Sequence, residues 1–278
     1  MNVLAVIMAR AGSVGLKNKH LAPLLGRPVI SYTFEHAKQA QRLTRVVVTS
    51  DCPTVLDLSE ANGFEAIRRP PELASSEAAV QDVMLHAMES VESGPPAPGS
   101  SAPFKADALV VLYGNVAVRG DGVVDQAVEM LQRTGCDSVR SFCPVGKWHP
   151  AWMARLNGER VEPLRKGSIH RRQDLEANGR LLLHDGAAVA VSRKSMLWAR
   201  SCPHDPHAFF GIDRRGFETR QWETVEIDGP RDLFMAEAVL RERGQERAWG
   251  REPVRGQETA HIHLARDIEP KKPLRRAS

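Results

Sequence analysis

Short β-rich apolar runs alternate with helix-period segments as far as residue 240, and no other feature limits the fold so tightly. The runs occupy residues 3–8, 45–51, 64–67, 108–112, 138–145, 187–191 and 224–228. Between them, residues 28–40 put Ile30, Phe34 and Ala37 on one face, with Pro28 suited to a first turn. Residues 53–61 form a second helical segment closed by Asn62-Gly63, and residues 78–91 align Val80, Val83, Met84, Ala87 and Val91, with Ser76 available as a cap. A further helix opens at Asp121 with Val124, Ala127, Val128 and Leu131 inward, and the last starts at Pro230 and carries Leu233, Ala236 and Leu240. The pattern predicts an α/β fold, a Rossmann-like, doubly wound, mostly parallel sheet that binds ligands beyond the carboxyl ends of its strands.

The alternation lapses in three places. Residues 93–101, rich in Pro, Gly and Ser, read as a surface loop, because the α/β pattern resumes after them. Residues 146–184 read as an insertion into a domain spanning 1–243, and residues 244–278 as a basic, mobile tail. At 278 residues the chain can bury a sizeable core. No run approaches the ~18 apolar residues of a membrane helix, and the first apolar run lacks a preceding basic region, so a cytoplasmic protein is expected. Cys52, Cys136, Cys143 and Cys202 show neither zinc spacing nor C-x-x-C pairing and are expected to be reduced. The net charge of +4 suits an anionic ligand, but the basic residues crowd the end of the chain without interleaved aromatics, which argues against nucleic acid.

The first run delivers a loop, Ala9-Arg10-Ala11-Gly12-Ser13-Val14-Gly15-Leu16-Lys17-Asn18-Lys19-His20. Its glycines free the backbone to approach a ligand, while Arg10 and Lys19 supply positive charge for phosphate. The loop lacks the ending of a P-loop and does not fit G-x-G-x-x-G; an ordinary turn is the plain alternative. At the other end of the domain, Glu226 and Asp228 alternate about Ile227, so both carboxylates share a face. Such a pair suits Mg²⁺, which takes one or two carboxylates and completes its shell with water and phosphate; helix capping is the alternative.

The loop resembles the A-R-x-G-S-K-G-x-x-x-K-N signature of the CMP-N-acylneuraminate (sialic acid) synthetases, with Val14 and His20 in place of its second-block lysine and final asparagine. Glu226-Ile227-Asp228-Gly229-Pro230-Arg231-Asp232-Leu233 is similar to that family's D-I-D-x-x-x-D-L, and Arg69-Pro70-Pro71-Glu72-Leu73-Ala74 to its R-P-x-x-L-A. Arg172-Gln173, Asp185-Gly186-Ala187 and Phe209-Phe210 resemble its sugar-binding stretches, and residues 112–119 occupy its L-Q-P-T-S-P-L-R, with Tyr113 for glutamine and Arg119 kept. The resemblance implies a cytidylyltransferase that joins CTP to an acidic 2-keto-3-deoxy sugar and releases pyrophosphate. It implies nucleotide binding by Ala9, Arg10, Gly12, Ser13, Gly15, Lys19 and Arg69, with Arg10, Lys19 and Asp228 central to catalysis. Sugar contacts would fall to Tyr113, Arg119, Arg172, Gln173, Asp185, Phe209 and Phe210, with Arg172 meeting the sugar's carboxylate in bidentate fashion, and Mg²⁺ would fall to Asp228 and Glu226. A homodimer built through residues 146–184 is implied as well. A nucleotidyltransferase of altered sugar or nucleotide scope, and a non-catalytic nucleotide-binding homologue, are the alternatives.

Overall fold

The structure, a computed structural model, describes residues 1–12, 15–96, 99, 101–165, 169, 171, 174 and 180–248. Val3–Met8 (β1), Arg45–Ser50 (β4) and Glu65–Arg68 (β5) are parallel neighbours, separated in sequence by helices Val29–Gln39 (α1) and Pro53–Ala61 (α2); a small hairpin, Pro23–Leu24 (β2) and Arg27–Pro28 (β3), precedes α1. Helix Val80–Ser93 (α3) leads to Ala108–Tyr113 (β6), which lies parallel to β1 on its other side. After Val116–Val118 (β7) and helix Val123–Thr134 (α4), the chain continues through Ser138–Pro144 (β8), an Ala154–Asn157 (β9) and Arg160–Pro163 (β10) hairpin, and Leu182–Ser192 (β11). Helix Arg193–Ala199 (α5), Arg214–Glu218 (β12), Val225–Glu226 (β13) and helix Pro230–Ala248 (α6) complete it. The order across the seven-stranded sheet is β12-β8-β11-β6-β1-β4-β5.

Strand alternation in β1 explains the doubly wound architecture. Val3, Ala5 and Ile7 enter one core with Ile30 and Phe34 of α1 and Ala127 and Leu131 of α4. Leu4 and Val6 enter a second core, with Met84 and Met88 of α3 and Met196 of α5. A strand apolar on both faces must be covered on both, and each fully buried aliphatic side chain contributes about 1.5–3 kcal/mol. A third cluster joins Leu24, Tyr32, Val118, Val225, Ile227 and Ala236, tying the β7–β13 ribbon to α1 and α6. Residues Met1–Leu240 cluster as one compact unit.

Several boundaries differ from expectation. Helix α3 starts at Val80 and has no side-chain cap, because Ser75, Ser76 and Ala78 line a cleft instead of winding into the helix. Helix α4 starts two residues after Asp121, following Gly122 at φ +70. The run 224–228 yields only two strand residues, since its partner β7 is short and the register shifts between Val225 and Glu226. Strand β11 is antiparallel to both β6 and β8, so the sheet is mixed. Within 146–184 the described residues form 3-10 turns Gly146–Trp148 and Pro150–Trp152 and the exposed β9–β10 hairpin. All four cysteines are free thiols. No described helix is long and apolar enough to cross a membrane.

Candidate active site

Strands β1, β4, β5 and β6 end on one edge of the sheet, and the segments leaving them make a cleft of about 180 Å³. Arg10 and Lys19 come from the loop after β1, Arg69 from the residue after β5, Tyr113 and Asn115 from the end of β6, and Glu226 from β13. The start of the loop is fixed by two amides: Ala9 N–H donates to Thr49 O at 3.2 Å, and Ala11 N–H to Asp51 Oδ1 at 2.7 Å. These two amides therefore already have acceptors within the protein. Ala9 is buried, and its Cβ packs beside Gly114. Gly12 holds φ +71, a left-handed conformation that favours glycine. Ser13 and Val14 lie outside the described residues.

Gly15 closes the site. A Cβ built on it would collide with the Asp228 carbonyl oxygen, so glycine alone lets the loop lie against the segment after β13. That contact delivers Lys19 Nζ to Asp228 Oδ1 at 2.7 Å across 209 positions of sequence. Asn115, which sequence reasoning did not single out, is buried beneath the carboxylates. Its Nδ2 donates to Glu226 Oε1 at 2.9 Å, to Ile227 O at 3.1 Å and, more weakly, to Asp228 Oδ1 at 3.4 Å. The sole sequence signal was its place in the stretch 112–119, beside a strand end.

Electrostatics reinforce the anion preference. Arg69 is buried, donates through Nη2 to Thr49 O at 3.0 Å, and has its pKa lowered to about 10 by burial. His20 is buried among Lys19, Arg69 and Arg10; burial first, then those cations, lower its pKa to about 4, so it is neutral at pH 7. Tyr113 is pushed up to about 12 by burial and by the Glu226 carboxylate. Neutral His20 and Tyr113 leave three cations facing the acidic pair.

Four residues expected to contact substrate also hold the fold together. Arg119 is wholly buried; its guanidinium donates to Ala187 O, Val116 O and Tyr113 O at 2.8–2.9 Å and to Thr33 Oγ1 at 3.0 Å, so it braces β6, β7, α1 and β11. Asp185 accepts from Ser141 Oγ, Ala187 N–H, Thr219 Oγ1 and Thr224 Oγ1 at 2.5–3.1 Å, which ties β11 to β8 and to the segments flanking β13. Phe209 fills the second core, and Phe210, in contact with it at 4.2 Å between centroids, turns its ring toward Arg140. Arg172 and Gln173 lie outside the described residues. His149 caps its own 3-10 turn by accepting from Ala151 N–H.

The strand ends of this mixed α/β sheet thus carry a cationic loop opposite two carboxylates. CMP:2-keto-3-deoxy-manno-octonic acid synthetase, solved in complex with CTP, superposes with a TM-score of 0.66 at 20% identity, over 87% of this chain and 100% of that one. Residues 4–93 match the family described as Cytidylyltransferase. The N-acylneuraminate cytidylyltransferase of Escherichia coli O18:K1:H7 is 36% identical over 86 residues, 31% of this chain and 20% of that protein. The enzyme of the same name from Streptococcus agalactiae serotype III is 25% identical over 198 residues, 70% of this chain and 44% of that protein. Over its first third the chain is thus similar to the cytidylyltransferases, and it spans less than half the length of these two relatives.

Proposed function

We propose that this chain transfers CMP from CTP to an acidic 2-keto-3-deoxy sugar of the sialic acid type and releases pyrophosphate. The observation that carries the reading is the closure of the Gly15 loop on Asp228, which sets Lys19 against the carboxylate pair held by Asn115. The sugar's anomeric oxygen bonds to the α-phosphorus, the bond from that phosphorus to the β-phosphate oxygen breaks, and the hydroxyl proton passes to solvent. Arg10 and Lys19 grip the triphosphate and stabilise the departing pyrophosphate. Arg69, desolvated beside them, adds a third positive charge where water is scarce.

Glu226 and Asp228 fit Mg²⁺ as a donor set: two hard carboxylates, joined by one amide donor and facing the cationic loop, with no third acidic or imidazole ligand grouped around them among the described residues. When bound there, the ion neutralises phosphate oxygens. Lys19, paired with Asp228 at 2.7 Å, keeps the carboxylate compensated and supplies a charge that phosphate can share.

We also infer a homodimer in the cytoplasm. The segment 146–165 presents Trp148, Leu156 and Val161 at 57%, 75% and 65% exposure, apolar area that a second copy of the chain would cover.

The decisive assay is pyrophosphate release with Mg²⁺, crossing the common nucleoside triphosphates with N-acetylneuraminate, legionaminic and pseudaminic acids and 3-deoxy-octulosonate. CTP and at least one acid should give a CMP-sugar by mass spectrometry. Folded protein that binds CTP and forms no product with any acid would overturn the reading.

A further inference from the structure

Strand β8 lies inside the sheet, between β11 and β12, with Arg140 opposite Val189 and Gly216. Its neighbours Val139 and Ser141 are fully buried on one face, and Val189 belongs to the second apolar core. The Arg140 side chain is half-buried there, and the arginines elsewhere in the fold whose guanidiniums leave solvent have acceptors. Arg45 donates to Glu65, Arg193 to Glu92, Arg69 to Thr49 and Arg119 to interior carbonyls. Arg140 differs: its Nε is buried with no hydrogen-bond partner among the described residues.

What surrounds Arg140 is aromatic and positive. Its Cζ lies 4.3 Å from the centroid of the Phe210 ring and 5.1 Å from that of Phe142. Arg214 Cζ lies 5.9 Å from the same Phe210 ring, its Nε fixed by Gly211 O at 2.7 Å. Two guanidiniums thus share one aromatic platform, and burial followed by the Arg214 charge lowers the Arg140 pKa. Gly216 keeps the platform flat, because a Cβ there would press to 2.6 Å from the Phe142 ring. Across β11, Arg140 is in register with Val189 and Val189 with Val111, two residues before Tyr113, and Val189, Val111, Tyr113 and Phe210 all pack in the second core, so this group lies on the face of the sheet from which Tyr113 lines the cleft.

Resting on the reading above, we propose that Arg140, with Arg214 beside it, receives the carboxylate of the sugar acid and so determines specificity for an acidic substrate. A planar, singly charged carboxylate takes two parallel N–H donors from a stacked guanidinium and relieves the repulsion between the two arginines. The triphosphate is matched by Arg10 and Lys19, and Arg172, to which the resemblance gives the carboxylate, lies outside the described residues; Arg140 and Arg214 are the described pair stacked on an aromatic ring as a planar carboxylate requires.

The test compares Arg140→Gln and Arg140→Lys with wild type, using each turned-over sugar acid and its neutral methyl ester, with CTP binding measured separately. Arg140→Gln should bind CTP within about twofold of wild type and keep kcat within about threefold, while its KM for the acid rises about 100-fold and its KM for the ester hardly moves. Arg140→Lys, which keeps the charge and loses the fork, should recover about tenfold of that KM, and it alone carries the test if the glutamine variant does not fold. An unchanged KM for the acid, or an equal loss for acid and ester, overturns the assignment while leaving the cytidylyltransferase reading intact. Absence of turnover by wild type with every acid overturns that reading, and this proposal falls with it.

Discussion

His20 supplies a pH-dependent stability that can be worked from its surroundings. It is 4% exposed and packed against a cationic loop, and its folded pKa of about 4 lies below the ordinary value of 6.5. Between these values the unfolded chain takes up a proton that the folded chain refuses. Lowering the pH therefore favours unfolding, and the effect begins at about pH 6.5 and is complete near pH 4. At about 1.4 kcal/mol per pH unit over an interval of about 2.5 units, the loss reaches about 3 kcal/mol. Above pH 6.5 His20 is neutral in both states and the slope vanishes. Urea denaturation from pH 4 to 8, run on wild type and His20→Gln, isolates this contribution because every carboxylate is common to the two proteins. The wild type should lose about 3 kcal/mol more than the variant between pH 6.5 and 4. Parallel curves, or an imidazole resonance of His20 titrating near pH 6.5, would refute the reasoning. CTP added without metal should raise the His20 pKa, because triphosphate offsets the charges of Lys19, Arg69 and Arg10.

Four further perturbations address other parts of the site. Gly15→Ala should force the loop away from the Asp228 carbonyl and weaken CTP binding by about tenfold or more, with little change in melting temperature, by titration calorimetry. Asp228→Asn should reduce Mg²⁺-dependent turnover by about 100-fold or more while CTP still binds; unchanged turnover at saturating Mg²⁺ would remove the residue from the chemistry. Arg119→Leu should cost about 3–5 kcal/mol in chemical denaturation, because it orphans interior carbonyls, and a loss of catalysis without a loss of stability would contradict its bracing role. Leu156→Lys with Val161→Lys should lower the solution mass measured by light scattering from dimer to monomer; a wild-type monomer would refute the interface.

Local chemistry made the first half of the fold legible. Strand β1 and helix α2 were expected at the residues where they occur, because apolar runs of this length bounded by Gly, Asn and Pro have few other solutions. The cationic side of the site was equally visible, since Arg10, Lys19 and Arg69 each follow a strand end. Legibility failed where tertiary contacts decide. Strand β12, Arg214–Glu218, has one buried apolar side chain, Phe217, and exists because β8 offers an open parallel edge. The reversal of β11 leaves no mark in its own apolar pattern, which reads alike in either direction. Asp185 and Arg119 carry residue types that suit a ligand, and their partners, distant in sequence, turned out to be protein. Asn115 escaped notice for the opposite reason: its meaning lies in Glu226 and Asp228, more than a hundred residues away.

The contact between Gly15 and Asp228 also fixes when this protein can first become competent during synthesis. The segment 4–93, matched by the family, emerges early and brings the positive charges with it, but the acidic residues arrive more than two hundred residues later. A nascent or truncated chain that stops before residue 225 has an exposed basic loop with nothing to close on, open to any polyanion in its surroundings. Synthesis past residue 228, and not the folding of the first half, is the event that brings the acidic pair to the cationic loop.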